Sequence, residues 1–219
     1  MTRESYEIQL ERLEMEIQNM GVSVQNAIME TWRAIEEKSS EVAKKVINED
    51  RMINDMQRNI EARCLTMITK QQPVAGDLRL ISAALKVVTD IERIGDQAAD
   101  IAELVCRFEK TSVAECSENI KPMLFAAKEM VEKAIQSLVE RDKKMAQQVS
   151  KDDDIVDGYF NVIKEEVIEK LKGKKMDADL CVDTLMVAKY LERIGDHAVN
   201  IAEWEVFQET GTIQDVRIF

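Results

Sequence analysis

Apolar residues recur at intervals of three and four along most of the chain, which places them on one face of an α-helix. In the first such segment, residues 5–37, the apolar seam consists of Leu10, Leu13, Ile17, Met20, Val24, Ala27, Thr31 and Ala34. The same spacing continues over residues 40–70, 78–110, 119–142, 144–172 and 178–209. The pattern therefore predicts six long helices, followed by a short tail over residues 210–219.

The breaks between these segments carry residues that end or begin helices. Pro73 and Gly76 interrupt the pattern after the second segment, and Gly173 lies in a lysine-rich turn before the sixth. Asp77 and Asp177 precede the third and sixth segments. Because a short carboxylate side chain can accept hydrogen bonds from the free amides of a first helical turn, both aspartates are predicted to be N-caps.

A segment of 13 residues occurs twice, 100 positions apart. It reads Ile-Glu-Arg-Ile-Gly-Asp-Gln-Ala-Ala-Asp-Ile-Ala-Glu over residues 91–103. Over residues 191–203 it reads Leu-Glu-Arg-Ile-Gly-Asp-His-Ala-Val-Asn-Ile-Ala-Glu. Both copies lie in apolar-periodic sequence, so the chain is interpreted as an internal duplication.

The duplication defines the predicted architecture. The paired positions are Asp77 with Asp177, Leu85 with Leu185 and, after a two-residue slip in the turn, Asp55 with Asp157. We therefore expect an all-α protein of two antiparallel three-helix bundles, related by an approximate two-fold axis. The first bundle is predicted to span residues 1–112 and the second residues 113–219.

Composition and charge limit the classes of partner that the protein can bind. Hydrophobic residues make up 45% of the chain, enough for a substantial core, and the low content of 7 Gly and 2 Pro favours helices over loops. The formal net charge is −12. Such a field repels nucleic acid and anionic lipid, whereas it suits cations or a basic protein partner. No nucleic-acid partner is expected.

The cysteines and the N-terminal sequence indicate a cellular compartment. Cys64, Cys106, Cys116 and Cys181 are widely spaced and form no CxxC pair, which is typical of reduced thiols in a cytosolic protein. The N-terminus has no apolar signal core, and no apolar run approaches the roughly 20 residues that span a bilayer. The expected location is the cytoplasm.

The repeated segment places carboxylates beside the apolar seam. Glu92 and Glu192 occupy seam positions that would normally carry an aliphatic residue, and buried charges need a partner or a metal. Asp96 and Asp100 follow Glu92 at successive turns. At ~100° and ~1.5 Å per residue, the three carboxylates cover about 80° of helix surface over roughly 12 Å. The glycine of each copy leaves room for a close neighbour.

Facing ligands are expected from the second helix of each half. The candidates are Asp50 and Asp55, which are echoed in the second half by the acidic run at residues 152–154 and by Asp157. Of these, Asp55 and Asp157 are the predicted ligands. Oxygen ligands without His or Cys favour hard ions such as Mg, Mn or Fe. In the alternative interpretation, the glutamates pair with cations of neighbouring helices and the aspartates remain solvated. Arg93 and its repeat are expected to pair with the aspartate one turn later.

The two copies of Glu-Arg-Ile-Gly-Asp, with their spacing, resemble the PhoU family of phosphate-transport accessory proteins, and the resemblance covers essentially the whole chain. It implies multinuclear metal binding through E/D-x-x-x-D motifs. The ligands implied for this chain are Glu92, Asp96 and Asp100 in the first half and Glu192, Asp196 and Asn200 in the second. Because Asn200 supplies no charge where Asp100 does, the second site is expected to be weaker or to hold fewer ions.

The resemblance also implies a function. The protein would be a cytoplasmic negative regulator of phosphate uptake and of the phosphate-starvation response. It would link the ATPase subunit of a phosphate ABC transporter to a sensor histidine kinase, and it would reach the inner membrane only through these partners. No catalytic activity is expected, because the sequence offers no Ser/His/Asp set, Gly-rich phosphate loop or Cys/His pair.

Two other functions remain open. A ferritin-like di-metal enzyme would need Glu-x-x-His on two helices. The single histidine, His197, stands five residues after Glu192, and its repeat counterpart is Gln97. The other alternative is a metal-free helical adaptor.

Self-association is also expected. The first predicted helix, at ~1.5 Å per residue, would reach about 50 Å and exceed its repeat counterpart. Tyr6, Ile8 and Trp32 lie off its main seam and are candidates for contact with a second copy. The sequence therefore predicts a homodimer.

Overall fold

The computed structural model describes residues 3–71, 73, 75–107, 111–174, 176–213 and 216–217. Its helices are α1 (Arg3–Glu37), α2 (Ser40–Gln71), α3 (Ala75–Val105), α4 (Val113–Cys116), α5 (Ile120–Glu140), α6 (Lys143–Lys172) and α7 (Ala178–Thr210). Two strands, β1 (Thr212–Ile213) and β2 (Val216–Arg217), pair antiparallel. No helix in these ranges is both long and apolar enough to cross a membrane.

The six predicted long helices are confirmed, with differences at their ends. The polar connection between the halves contains the additional helix α4, and the predicted tail contains the two short strands. Asp177 is an N-cap as predicted, since its Oδ1 accepts from the amides of Asp179 at 2.9 Å and Leu180 at 3.1 Å. The N-cap prediction for Asp77 is wrong. Helix α3 begins at Ala75, so Asp77 lies within its first turn.

The helices form two antiparallel three-helix bundles, as the repeat predicts. In the first bundle α1, α2 and α3 pack on one another, and α5, α6 and α7 do so in the second. The bundles meet where α3 packs on α7 and where α1 packs on α5. The two repeated segments therefore lie on the pair of helices that joins the halves. Ile91, Ile94, Leu191 and Ile194 of these segments are 0% exposed and belong to one continuous core.

The burial pattern corrects the predicted alignment of α2 with α6. Buried residues match at an offset of 103, as shown by Val46 with Val149, Ile53 with Val156, Ile60 with Ile163 and Cys64 with Val167. At this offset Asp50 is equivalent to Asp153, and Asn54 to Asp157. The equivalent of Asp55 is Gly158, so the predicted pairing of Asp55 with Asp157 is wrong by one residue. The turn that follows absorbs a three-residue difference rather than two.

The predicted dimer residues of α1 are used mostly inside the chain. Helix α1 has 35 residues and its counterpart α5 has 21, so the predicted difference in length is confirmed. Trp32 is only 7% exposed, and its ring packs edge-on against Phe125 with centroids 6.3 Å apart. Tyr6 packs against the core, whereas Ile8 is 60% exposed. Trp32, one of the three candidates for contact with a second copy, is therefore buried within the chain, and the homodimer itself stays a prediction.

Candidate functional site

A carboxylate lies directly against the glycine of each repeated segment. A Cβ placed on Gly95 would be 3.2 Å from Oδ1 of Asp50 and 3.1 Å from Cδ1 of Ile53. In the second half, a Cβ on Gly195 would be 3.1 Å from Oδ1 of Asp153. These distances are tighter than ordinary van der Waals contact, so the absent side chain makes room for the aspartate. The predicted close approach at both glycines is confirmed.

The same two aspartate oxygens are buried without a hydrogen-bond partner. Oδ1 of Asp50 and Oδ1 of Asp153 make no hydrogen bond, although Oδ2 of Asp50 accepts from Nδ2 of Asn54 at 2.9 Å. An unsatisfied buried acceptor costs about 1–3 kcal/mol. The same unsatisfied acceptor therefore recurs at equivalent positions of the two halves.

The acidic surroundings disfavour the charged form of these aspartates. Burial, followed by the charge of Asp96, raises the pKa of Asp50. Burial, followed by the charges of Asp157 and Asp196, raises the pKa of Asp153 from 3.8 to about 6. The neighbouring Asp152 differs, because hydrogen bonds from Lys133 and Gln148 outweigh burial and lower its pKa. The acidic neighbours of Asp153 therefore disfavour its charged form, whereas the donors around Asp152 favour the charged form of that residue.

The glutamates of the repeated segment lie at the edge of the core. The side chains of Glu92 and Glu192 are each 16% exposed. Glu92 is 3.5 Å from Nε of Arg93, which also pairs with Asp96 at 2.9 Å as predicted, and Glu192 binds Lys189. Burial, followed by the charge of Asp96, raises the pKa of Glu92. Each glutamate side chain is therefore mostly shielded from solvent and pairs with a cationic side chain at the surface.

Four of the first-half carboxylates open into one cleft between the bundles. The cleft has a volume of about 500 Å³ and is lined by Asp50, Asp96, Asp100 and Glu103, together with Arg193 of the second half. Burial and the charge of Glu103 raise the pKa of Asp100, and Arg193 opposes this effect. The structure thus brings Asp96 and Asp100 together with Asp50, a residue outside the predicted ligand set.

In the second half, the residues equivalent to Gln97 and Asp100 are His197 and Asn200, and they make different contacts. Nδ2 of Asn200 donates to Oδ1 of Asp90 at 3.1 Å, and Nδ1 of His197 lies 2.9 Å from the same oxygen. Both residues therefore bridge α7 to α3 of the other bundle. In the first half Asp100 stands at the Asn200 position, near Tyr190, and after burial its charge is the largest influence raising the pKa of that tyrosine. Among the described residues, His197 and Asn200 are thus bonded to Asp90, whereas no hydrogen bond joins Asp100 to Tyr190.

Of the remaining predicted ligands, some lie near the motif glycines and one lies apart from them at the surface. Asp55 has a 70% exposed side chain 3.6 Å from Arg58, and it lies apart from the carboxylates around Gly95. Asp157 and Asp196 are exposed but close enough to Asp153 to raise its pKa. Sequence reasoning preferred Asp55 to Asp50. Alignment of the apolar positions at an offset of 103 would have identified Asp50 and Asp153.

The donor chemistry suits a hard cation, although the ligands are not gathered around one point. Within the described residues, no three His, Cys, Asp or Glu side chains form a ready metal site. The donors available around each glycine are carboxylate oxygens, and one of them is an unpartnered buried atom. Oxygen donors of this kind fit Mg, Mn or Fe. Binding would require the motif side chains to close on the buried aspartate.

The fold and the site define a class: duplicated three-helix bundle proteins with an acidic motif on the third helix of each repeat. The model of the PhoU domain matches residues 17–105 and 120–204, one match in each bundle. These matches cover most of the chain, which therefore belongs to the PhoU family.

Similar proteins cover nearly the full length of the chain. A phosphate-specific transport system accessory protein PhoU homolog from Clostridium acetobutylicum is 36% identical over 99% of both chains. A homolog from Thermotoga maritima is 31% identical over 94% of this chain and 89% of its own. The crystal structure of PhoU from Pseudomonas aeruginosa matches with a TM-score of 0.90 at 29% identity, covering 94% of this chain and 100% of that one.

Proposed function

We propose that the protein is a non-enzymatic, cytoplasmic negative regulator of phosphate uptake that binds metal at two carboxylate patches. The observation that carries the metal site is the repeated pair of buried, unpartnered aspartate oxygens against the motif glycines. Relatives of similar length are named accessory proteins of the phosphate-specific transport system, which supports the regulatory role.

The proposed ligands are carboxylates from the repeated segments and from the second helix of each half. In the first half, Asp50 would join Glu92, Asp96 and Asp100, and in the second, Asp153 would join Glu192, Asp196 and Asp157. The net negative charge within each patch would attract a divalent or trivalent ion such as Fe, Mn or Mg. Asn200 contributes to the interface through Asp90 instead. The second patch is therefore expected to depend on Asp157 for the charge that Asn200 lacks.

The ferritin-like enzyme is disfavoured by the sequence. Its sites require Glu-x-x-His on two helices. Here His197 stands five residues after Glu192 instead of three, and its repeat counterpart is Gln97. The metal-free adaptor remains the competing function, and elemental analysis separates it from the proposal.

Removing carboxylates from the first patch should lower the metal content. We expect the double variant Glu92→Ala, Asp96→Ala to lose the metal of that patch, about half of the total, and to keep its helical circular dichroism. The measurement is elemental analysis after supplying Fe, Mn or Mg and dialysing. Asp55→Ala is the matched control, because Asp55 is an exposed carboxylate on the same bundle. Wild-type protein that retains no metal would eliminate this part of the proposal.

The regulatory role rests on contact with partners. The net charge of −12 favours encounter with basic protein surfaces. We propose the ATPase subunit of a phosphate ABC transporter and the cytoplasmic part of a sensor histidine kinase as the partners. A homodimer is also proposed, with Ile8 as the exposed candidate on α1.

Deletion of the gene tests the regulatory role in the cell. We expect phosphate-starvation genes to be derepressed in phosphate-rich medium, since the negative regulator is gone. Transcript levels and phosphate uptake are measured in a strain that lacks any second copy of the family. Complementation with wild-type protein should restore repression. If expression and uptake stay unchanged in the deletion strain, the regulatory role is wrong whatever the metal content.

A further inference from the structure

Two cysteine thiols from distant parts of the chain lie side by side. Sγ of Cys116 is 3.9 Å from Sγ of Cys181, although the residues are 65 positions apart. Cys116 ends the short helix α4 in the connection between the halves, and Cys181 lies in the first turn of α7. Both side chains are 0% exposed.

The connection that carries Cys116 is held in place by α6. Ser117 and Asn119 donate their side-chain hydrogen bonds to the carboxylate of Glu166, the latter at 2.8 Å. One turn later, Nζ of Lys170 donates to the backbone oxygen of Cys116. These bonds fix the position of Cys116 relative to α6, which packs on α7. The two sulfur atoms are therefore held next to each other in the folded chain.

We propose that Cys116 and Cys181 form a reversible disulfide when the protein meets a peroxide. One sulfur attacks the peroxide oxygen and becomes a sulfenic acid, with release of one water. The second sulfur then attacks the sulfenic sulfur, the S–S bond forms, and a second water leaves. Two electrons pass from the two sulfurs to one hydrogen peroxide. The approach needed is from 3.9 Å to the ~2.05 Å of an S–S bond.

The surroundings make this modification selective for sustained oxidation. Burial, followed by the neighbouring Cys116, raises the pKa of Cys181 to about 11, so little thiolate is present at neutral pH. Because the thiol of Cys181 is buried and largely protonated, we expect the disulfide to form slowly, through local opening of the connection. Once formed, the bond closes a covalent ring that contains α5 and α6. The bond lowers the conformational entropy of the unfolded chain and links the connection covalently to α7.

The test uses a variant in which the other thiols are absent, Cys64→Ala with Cys106→Ser. After treatment with hydrogen peroxide, thiol titration in denaturant should fall from two groups per chain to none. The intact mass should drop by two hydrogen atoms, and a peptide map should join the segments containing residues 116 and 181. The thermal midpoint should rise by several degrees and return after dithiothreitol. A further Cys116→Ser change should abolish the mass loss and the shift.

Three outcomes would overturn the proposal: both thiols remain free after prolonged treatment, each is separately oxidised to sulfinic acid, or the bond joins two chains. If the thiol-depleted variant does not fold, peptide mapping of the oxidised wild-type chain gives the same decision. In that experiment the joined peptides must be those of Cys116 and Cys181, and any other pairing contradicts the proposal.

Discussion

Replacing Glu205 by glutamine is expected to raise the free energy of unfolding by about 3 kcal/mol at pH 8 and to change it little at pH 4. Glu205 in α7 is 0% exposed, and neither carboxylate oxygen has a hydrogen-bond partner. Burial, followed by the charge of Glu209, raises its pKa from 4.5 to about 7. In the first half the equivalent residue is the apolar Val105.

The sign of this pH dependence follows from the raised pKa. Below pH 4.5 the carboxyl is neutral in both states, so it contributes no pH dependence. Between pH 4.5 and about 7 the unfolded chain releases the proton while the folded chain retains it, and the wild type loses stability as pH rises. Glutamine cannot ionise, so this loss disappears.

Urea denaturation across pH 4 to 8 provides the measurement. Glu203→Gln is the matched control, because Glu203 lies on the same helix and is more exposed. Its profile should follow that of the wild type. Equal pH profiles for the wild type and Glu205→Gln would mean that the carboxyl of Glu205 does not lose its charge on folding.

The second large effect is expected at Asp153. In the presence of a chelator, the free energy of unfolding of Asp153→Asn should be about 2 kcal/mol higher than that of the wild type at neutral pH. The reason is that Oδ1 of Asp153 is buried without a partner beside Asp157 and Asp196, and its pKa is raised to about 6. An asparagine keeps the size of the side chain and removes the repulsion.

Added cation should make the wild type more stable than Asp153→Asn. A ligand that binds only the folded state stabilises it by mass action. If Asp153 is a ligand, Mn²⁺ raises the unfolding midpoint of the wild type more than that of Asp153→Asn. Asp154→Asn serves as the control, since Asp154 is exposed and adjacent. An equal gain for the wild type and Asp153→Asn would remove Asp153 from the proposed ligand set.

The architecture could be predicted because its signal is local and repeated. The three-four spacing of apolar residues in each segment specifies a helix, and the duplicated motif specifies two equivalent halves. The helix ends were less predictable. Asp77 and Asp177 occupy equivalent sequence positions, yet only Asp177 precedes its helix, because α3 starts at Ala75 and α7 at Ala178. The backbone before Asp77 extends the helix, and no side-chain type at that position reveals this.

The candidate site was predictable on α3 and α7 but not on α2 and α6. The motif glycines and carboxylates stand out in the sequence. Which aspartate faces them depends on the register of a neighbouring helix, and one residue of error moves a side chain by ~100° around the helix axis. An error of one residue therefore pairs Asp157 with Asp55, whereas the buried positions pair it with Asn54. The bonds from His197 and Asn200 to Asp90 join residues more than 100 positions apart, and they depend on how the halves pack.

The packing of α3 on α7 has an evolutionary consequence. Each half uses the other to cover its motif helix, so a protein with a single repeat could cover that helix by forming a symmetric homodimer. In such a dimer both sides of the interface must be identical. Here one side joins Asp90 to His197 and Asn200, while the other brings Tyr190 near Asp100. A single chain that carries both halves can place different residues at the two equivalent positions. His197 and Asn200 bind Asp90 at one position, and Asp100 lies in the acidic cleft near Tyr190 at the other.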